Sequence, residues 1–419
     1  MLPELHTSIP GPRSLSLAAR LHRAESRNVT FTSPEWPIFW ERAHGVNVWD
    51  ADGNRYLDLT SAFGVASLGH GATAAAMTAQ AAQLVHAMGD VHPTEAKAEL
   101  CEQLASLTYE RWQRGPAKVI LGNSGSDAVE AALKTALLHT GKPGIIVFRG
   151  GYHGLGLGAL AAGGLPFFQA PFRPQLADLA VVLPFPASLA DLNRALLEKN
   201  IGAILVEPLQ GRGGCVLPPP DFLPMLRAFC DTHGLLLIAD EILTGFHRTG
   251  PLFACDHTGT IPDLICLGKA LTGGFPLSAC VGPAHIMDAW PETHGEALHT
   301  STFLGHPVGC AMALASIKAH ADPAVGIAVR EKSARLTSAL RRITHHEIRG
   351  MGLMLGIALV KADGQPDTER AISIIQRALR AGIIMLADGP ASHILSFLPP
   401  FTIADEELDY VVEWLGREL

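Results

Sequence analysis

The sequence predicts an α/β protein: a large unit with a mainly parallel, seven-stranded sheet covered by helices, joined to a smaller α+β unit formed by the chain's two ends. Three observations carry this. Between 118 and 281, short apolar stretches alternate with helix-length segments, the pattern of parallel strands linked by crossover helices. After about 310 the pattern changes to a long helical region reaching about 344, then to short strands and helices. Near the N-terminus, residues 46–50 and 55–59 alternate around Asp52-Gly53, a turn dipeptide that predicts a hairpin.

In chain order, 1–30 reads as an extended or partly helical arm, and the alanine-rich periodicity of 72–108 reads as helices. Strands are expected at 118–121, 144–148, 179–184, 203–206, 235–239, 264–267 and 278–281. Helices are expected at 126–138, 188–199 and 222–233, the last stopped by Gly234. The organisation follows: 1–70 as arm and hairpin belonging to the small unit, 71–310 as the large unit, and 311–419 as the rest of the small one. No internal repeat or low-complexity tract interrupts it.

The 419 residues are 48% hydrophobic and 17% charged, with 42 glycines and 29 prolines, enough for a large core and many turns. A formal net charge of −8 argues against a nucleic-acid or anionic-membrane binder. No apolar run approaches the roughly 20 residues that cross a bilayer, and the first residues lack the apolar core of a secretory signal. Seven cysteines, dispersed singly without a C-x-x-C pair, read as reduced thiols of a cytoplasmic protein and give no metal site.

Chemistry concentrates at strand ends. The stretch 262–274 is apolar up to Lys269 and glycine-rich just after it, and the strand 235–239 runs into Asp240-Glu241. A buried amine and a buried carboxylate so placed suit pyridoxal 5′-phosphate (PLP): the lysine forms a Schiff base, and the aspartate keeps the pyridinium nitrogen protonated. Taken singly, such a lysine is more often a solvated side chain and such an aspartate a helix cap or a hydrogen-bonded turn. Around Gly125 and Ser126 a strand, a small-residue turn and a helix make a natural phosphate cradle, or simply an N-cap. Tyr152, among the glycines of 150–154, offers a ring to stack on a flat cofactor, or a packed loop residue. Glu207 and Asp240 end strands on the same edge, where ligands of open α/β sheets bind.

The blocks VWDADGNRYLDL, NSGSDAVEAALK, GGYHG, VEPLQG, ADEILTGFHRTG, LGKALTGG, STFLGHP, RGMGLMLG and LPPFTI follow one another from about residue 25 to 415. In content and order they resemble class III aminotransferases (ornithine, γ-aminobutyrate and ω-amine type) of PLP fold type I. The resemblance implies a PLP-binding large domain with Lys269 as the Schiff-base lysine and Asp240 as partner of the ring nitrogen. It also implies Gly125 and Ser126 on the phosphate, Tyr152 and Ile242 on the two ring faces, and Glu207 bracing the cofactor region. Thr302 would reach the phosphate of a neighbouring subunit, which implies a homodimer with shared sites. The implied reaction moves an amino group from an amine or ω-amino compound to a keto acid such as pyruvate or 2-oxoglutarate, in ping-pong fashion.

The departures from the family pattern are specific. The arginine that follows Y/F-H-G in the γ-aminobutyrate and ornithine branches is Leu155 here; their glutamate after the E-P block is Arg212, its arginine partner is Ser396, and the Gln after D-E-V is Leu243. Leu or Ser does not replace a bidentate arginine clamp. The expected donor therefore has a neutral or hydrophobic body, with Phe63, Trp36, Trp40, Leu155 and Ser396 as pocket walls. Arg212 is expected to meet the keto-acid carboxylate, or else to be a surface arginine in a glycine-rich loop. Aminomutase, racemase/epimerase or decarboxylating aminotransferase chemistry would use the same lysine and aspartate. A non-catalytic PLP-fold protein would lack one of them. A nicotinamide enzyme is disfavoured, because no G-x-G-x-x-G opens a helix after an early strand.

Overall fold

The structure, a computed structural model, describes residues 1–31 and 35–419. Strands β1 (Trp40–His44), β2 (Asn47–Asp50) and β3 (Arg55–Asp58) form an antiparallel ladder. The Asp52-Gly53 turn forms as expected: Asp50 Oδ1 accepts from the Asp52 and Asn54 amides at 3.0 and 2.9 Å, and Gly53 takes a φ of +87°. β1 was not foreseen, because its sequence is mostly polar and four of its five residues are exposed.

The central sheet contains β4 (Ala117–Gly122), β5 (Gly144–Phe148), β6 (Ala180–Leu183), β7 (Ile201–Val206), β8 (Leu236–Asp240), β9 (Leu264–Leu267) and β10 (Ser278–Pro283). Their order is β4-β10-β9-β8-β7-β5-β6, and only β10 runs antiparallel to its neighbours. Every residue of β5, β7, β8 and β9 is buried, which explains why these strands read as continuous apolar runs. The helix Gly125–Thr140 packs Ala128, Val129 and Ala132 onto one face of the sheet, and the helix Phe222–His233 packs Leu226 and Phe229 onto the other.

The remaining strands are β11 (Glu347–Met351), β12 (Met354–Ala358), β13 (Ile383–Ile384), β14 (Leu386–Asp388) and β15 (Ile394–Phe397). Four of them form the sheet β11-β12-β15-β14, while β13 pairs in parallel with β3, Ile383 opposite Leu57. The chain's two ends thereby share one core: Val46, Leu57 and Leu59 pack with Leu336, Leu355 and Trp414. The long helical region is two helices, Pro307–His320 and Pro323–Ile343. They divide at Asp322-Pro323, where the Asp322 carboxylate caps the second helix and Pro323 fills its first turn. Among the described residues, no helix is long and apolar enough to cross a membrane.

Arg248 fastens the end regions to the central unit. Fully buried, it donates to Leu353 O at 3.0 Å, Pro399 O at 2.7 Å and Ser61 Oγ at 3.3 Å, and its guanidinium lies 4.7 Å from the Phe401 ring. Burial pulls its pKa down to about 9, opposed only by the charge of Asp58, so it stays a cation at neutral pH. Arg248→Leu leaves three buried acceptors without a donor, and the expected loss is about 3–5 kcal/mol in urea unfolding. A loss below about 1 kcal/mol, the scale of a surface change, would show that Arg248 is not this tie.

Candidate active site

Adjacent parallel strands set the reactive pair. β8 ends in Asp240, whose register partner on β9 is Cys266, and Lys269 lies three residues beyond that partner. Lys269 adopts a φ of +44°, a left-handed conformation that costs a side-chain-bearing residue about 1 kcal/mol or more and that concentrates at functional sites. Burial lowers the pKa of the Lys269 amine, while the charges of Asp240 and Glu207 work to raise it. The balance favours a larger neutral fraction, the form that accepts a proton.

Asp240 is held from two sides. Its Oδ1 accepts from the Ile242 amide at 3.1 Å, and its Oδ2 lies 2.7 Å from His153 Nδ1. Burial disfavours a charged His153, but the hydrogen bond and charge of Asp240, with Glu207 behind it, raise its pKa. Glu207, just past β7, accepts from the Tyr152 amide at 2.8 Å and the Gly211 amide at 3.1 Å. Burial drives its carboxyl up; the nearby His153 charge opposes this and Asp240 adds to it.

The helix Gly125–Thr140 points its N-terminus at the same place. Ser124 caps it, and the Asp127 carboxylate holds the Asn123 and Ser124 amides at 2.9 and 3.1 Å. At Gly125 a Cβ would sit 3.0 Å from Ile242 Cδ1, so any larger residue would have to push that side chain aside. Ser126 Oγ accepts from the Gly156 amide at 3.1 Å, and Gly154, at a φ of +117°, passes so close that a Cβ would meet Ser126 Cβ at 2.7 Å.

These groups line one cavity of about 720 Å³. Gly125, Ser126, Tyr152, Glu207, Asp240, Ile242 and Lys269 all face it. So do Phe63, Leu155, Arg212 and Ser396. Three expected residues do not. Trp40 sits on exposed β1 with its ring 5.7 Å from His70, and Trp36 packs into the small core beside Val48 and Tyr56; both belong to the N-terminal ladder rather than to the wall. Thr302 is exposed and lies outside this chain's own cavity.

Other contributors were missed. His153 stands beside Tyr152 in the GGYHG block, and its signal was there to use: an ionisable ring among glycines at a strand end. Phe168 meets Tyr152 edge-on at 5.6 Å, from a short helix with no motif. Asp388, in the string Leu-Ala-Asp-Gly, reads as an ordinary turn but places its carboxylate 3.4 Å from Arg212 Nη1. At the mouth, Ser61, Ala62 and Phe63 take φ values of +48°, +49° and +62°. Asp58 Oδ2 accepts from the Ala62 amide at 3.0 Å, and Ser61 Oγ donates to Leu398 O at 2.5 Å, which holds Phe63 at the rim.

An anion cradle, an enclosed amine, a carboxylate for a ring nitrogen and two walls for a flat ring suit PLP, and fold and site together define a PLP-dependent aminotransferase. The sequence model for aminotransferase class-III matches residues 30–419, and the chain belongs to that family. It is 35% identical to a 4-aminobutyrate aminotransferase of Mycobacterium leprae, covering 99% of this chain and 98% of that one. It is also 35% identical to a 5-aminovalerate aminotransferase of Pseudomonas aeruginosa, over 89% and 91% of the two chains. Among solved structures, an ornithine aminotransferase from Toxoplasma gondii with PLP at partial occupancy in its active site superimposes with a TM-score of 0.84. The two are 27% identical over 96% of this chain and 94% of that one. The chain is an enzyme that uses PLP to transfer amino groups from amines to keto acids.

The raised His153 pKa gives a signed pH dependence. Pairing with Asp240 contributes stability in full below 6.5, the ordinary histidine value, and this is lost as pH rises through the higher folded-state value. His153→Gln should therefore flatten the fall of the urea midpoint between about pH 6 and pH 9. A variant that keeps the wild-type slope would contradict the assignment.

Proposed function

We propose that the donor is an amine with a neutral or hydrophobic body and that Arg212 receives the carboxylate of the acceptor, pyruvate or 2-oxoglutarate. One observation carries this. Beyond Tyr152 the cavity wall is Phe63, Leu155 and Phe168 with Ser396, and the cation there, Arg212, is tied to Asp388. No arginine stands at 155 or 396 to clamp a donor carboxylate.

In this reading the helix N-terminus at Gly125 and Ser126 holds the cofactor phosphate, and Tyr152 and Ile242 hold the ring from its two faces. Asp240, steadied by His153, keeps the ring nitrogen protonated, and Glu207 fixes the Tyr152 loop through its amide. PLP, when bound, supplies an electron sink for the carbon that carries the amino group. Lys269 would be the group that moves the proton in both half-reactions, taking it from the donor carbon in the first and supplying one to the acceptor carbon in the second. The apolar wall excludes water from the reacting carbon and offers a neutral donor body the burial it needs.

The enzyme works as a homodimer in the cytoplasm, with Thr302 delivered to the phosphate of a second copy. Exposed Val85, Met88, Val91 and Phe303 support this. They lie on two segments joined by the Thr300–Asp90 hydrogen bond and by contact of His86 with Phe303, an apolar patch of the kind that interfaces cover. Arg212→Ala is expected to raise KM for pyruvate or 2-oxoglutarate by about tenfold or more. An unchanged KM would remove Arg212 from acceptor binding.

A further inference from the structure

The lysine and the phosphate cradle follow different strands, β9 and β4, yet one side chain touches both turns. Ser278 opens β10, the antiparallel strand, and is completely buried. Its hydroxyl donates to Ser124 O at 2.5 Å, across 154 residues of chain. We infer that Ser278 is a positioning residue for the phosphate end of the site. It fixes the peptide whose amide meets the phosphate, and it sets the spacing between that peptide and Lys269. The inference rests on the cradle at Gly125 and Ser126 proposed above.

Ser124 O and the Gly125 N–H belong to one planar trans peptide, so they point in opposite directions. Ser124 O accepts from the Asp127 and Ala128 amides at 3.0 and 3.3 Å, the first bonds of the helix Gly125–Thr140, and from Ser278 at the shortest distance of the three. With the oxygen held on the helix side, the Gly125 N–H points out of the helix end, towards the cavity that Gly125 lines. The first amides of a helix have no intrahelical acceptor. Here the Asp127 amide is taken by Ser124 Oγ at 3.2 Å, which leaves those of Gly125 and Ser126 for an anion.

Glycines on two sides let Ser278 reach. Gly122 stands opposite it in the β4–β10 register, and a Cβ there would lie 2.8 Å from Ser278 Oγ. At Gly268, the residue before Lys269, a Cβ would lie 3.8 Å from Ser278 Cβ. Ser278 therefore packs against the turn that carries Lys269 and bonds to the turn that opens the phosphate helix. A PLP molecule has a fixed span between its aldehyde carbon and its phosphate, so these two turns must match it. One short, buried side chain joined to both holds them in register, and charge-assisted bonds to the phosphate stay aligned without rearrangement.

The test measures binding of PLP and of pyridoxal, which has the same ring and aldehyde but no phosphate, to the full-length chain and its Ser278→Ala variant, followed by the visible absorbance of the bound ring. The variant should weaken PLP by about tenfold, the scale of one charge-assisted hydrogen bond, and leave pyridoxal within about twofold. Ser278→Thr, which keeps the hydroxyl, should hold the wild-type ratio of the two. Parallel weakening of both ligands would make Ser278 an ordinary packing residue, and no change in either would give it no part; either result overturns the inference. Gly125→Pro separates the two claims. It removes the amide at a helix position that accepts proline, and Ser124 before it already has the extended backbone, φ −135° and ψ 159°, that a following proline requires. If Gly125→Pro leaves the ratio of PLP to pyridoxal binding unchanged, the cradle reading fails and the inference falls with it. If it collapses that ratio while Ser278→Ala does not, only the inference fails.

Discussion

Everything at the site depends on keeping an amine out of water beside two carboxylates. Lys269, Asp240 and Glu207 sit where three fully buried strands of the central sheet end, and His153 is drawn in among them. Isolated charges in such a place are unfavourable by several kcal/mol each, and removal of one partner leaves the other exposed to that penalty. The chain answers with backbone amides: Ile242 for Asp240, and Tyr152 and Gly211 for Glu207. Each of these amides belongs to a loop that also lines the cavity, so the electrostatics of the buried pair and the shape of the pocket are set by the same contacts.

That coupling explains where strain collects. Lys269 and the run Ser61–Phe63 hold left-handed backbone that a relaxed chain would avoid. Both lie against the cavity, and both are anchored by deeply buried groups, Asp58 and Arg248 around Ser61 and the β9 strand before Lys269. Arg248 has the widest reach, since it ties the loop after β8 to Leu353, Pro399 and Ser61. The small unit is therefore part of the site, because Ser396 and Asp388 enter the cavity from it.

Sequence made the sheet legible because its strands are buried on both faces and read as uninterrupted apolar runs. β1 escaped because an exposed edge strand needs no apolar alternation, and the break at Asp322-Pro323 was hidden inside one continuous helical periodicity. For the site, strand-end residues were readable from position and residue type alone. His153 needed the further step of asking what balances a buried aspartate. Asp388 and Phe168 were out of reach, because their importance comes from a spatial meeting with Arg212 and Tyr152 across more than a hundred residues in one case. Trp36 and Trp40 illustrate the reverse case: large aromatic side chains close in sequence to the hairpin read as pocket walls, while the fold packs Trp36 beside Val48 and Tyr56 and leaves Trp40 on exposed β1.

The relatives are named for 4-aminobutyrate and 5-aminovalerate, amino acids with a distal carboxylate, while Phe63, Leu155 and Phe168 line this cavity together with Arg212. The most direct measurement mixes the holoenzyme, without any keto acid, with 1-phenylethylamine, long-chain amines, γ-aminobutyrate and β-alanine, and follows the visible absorbance of the bound cofactor. The account predicts that the carboxylate-free amines discharge it fastest. Faster discharge by γ-aminobutyrate or β-alanine would contradict it and would mean that a carboxylate clamp operates in the donor half-reaction.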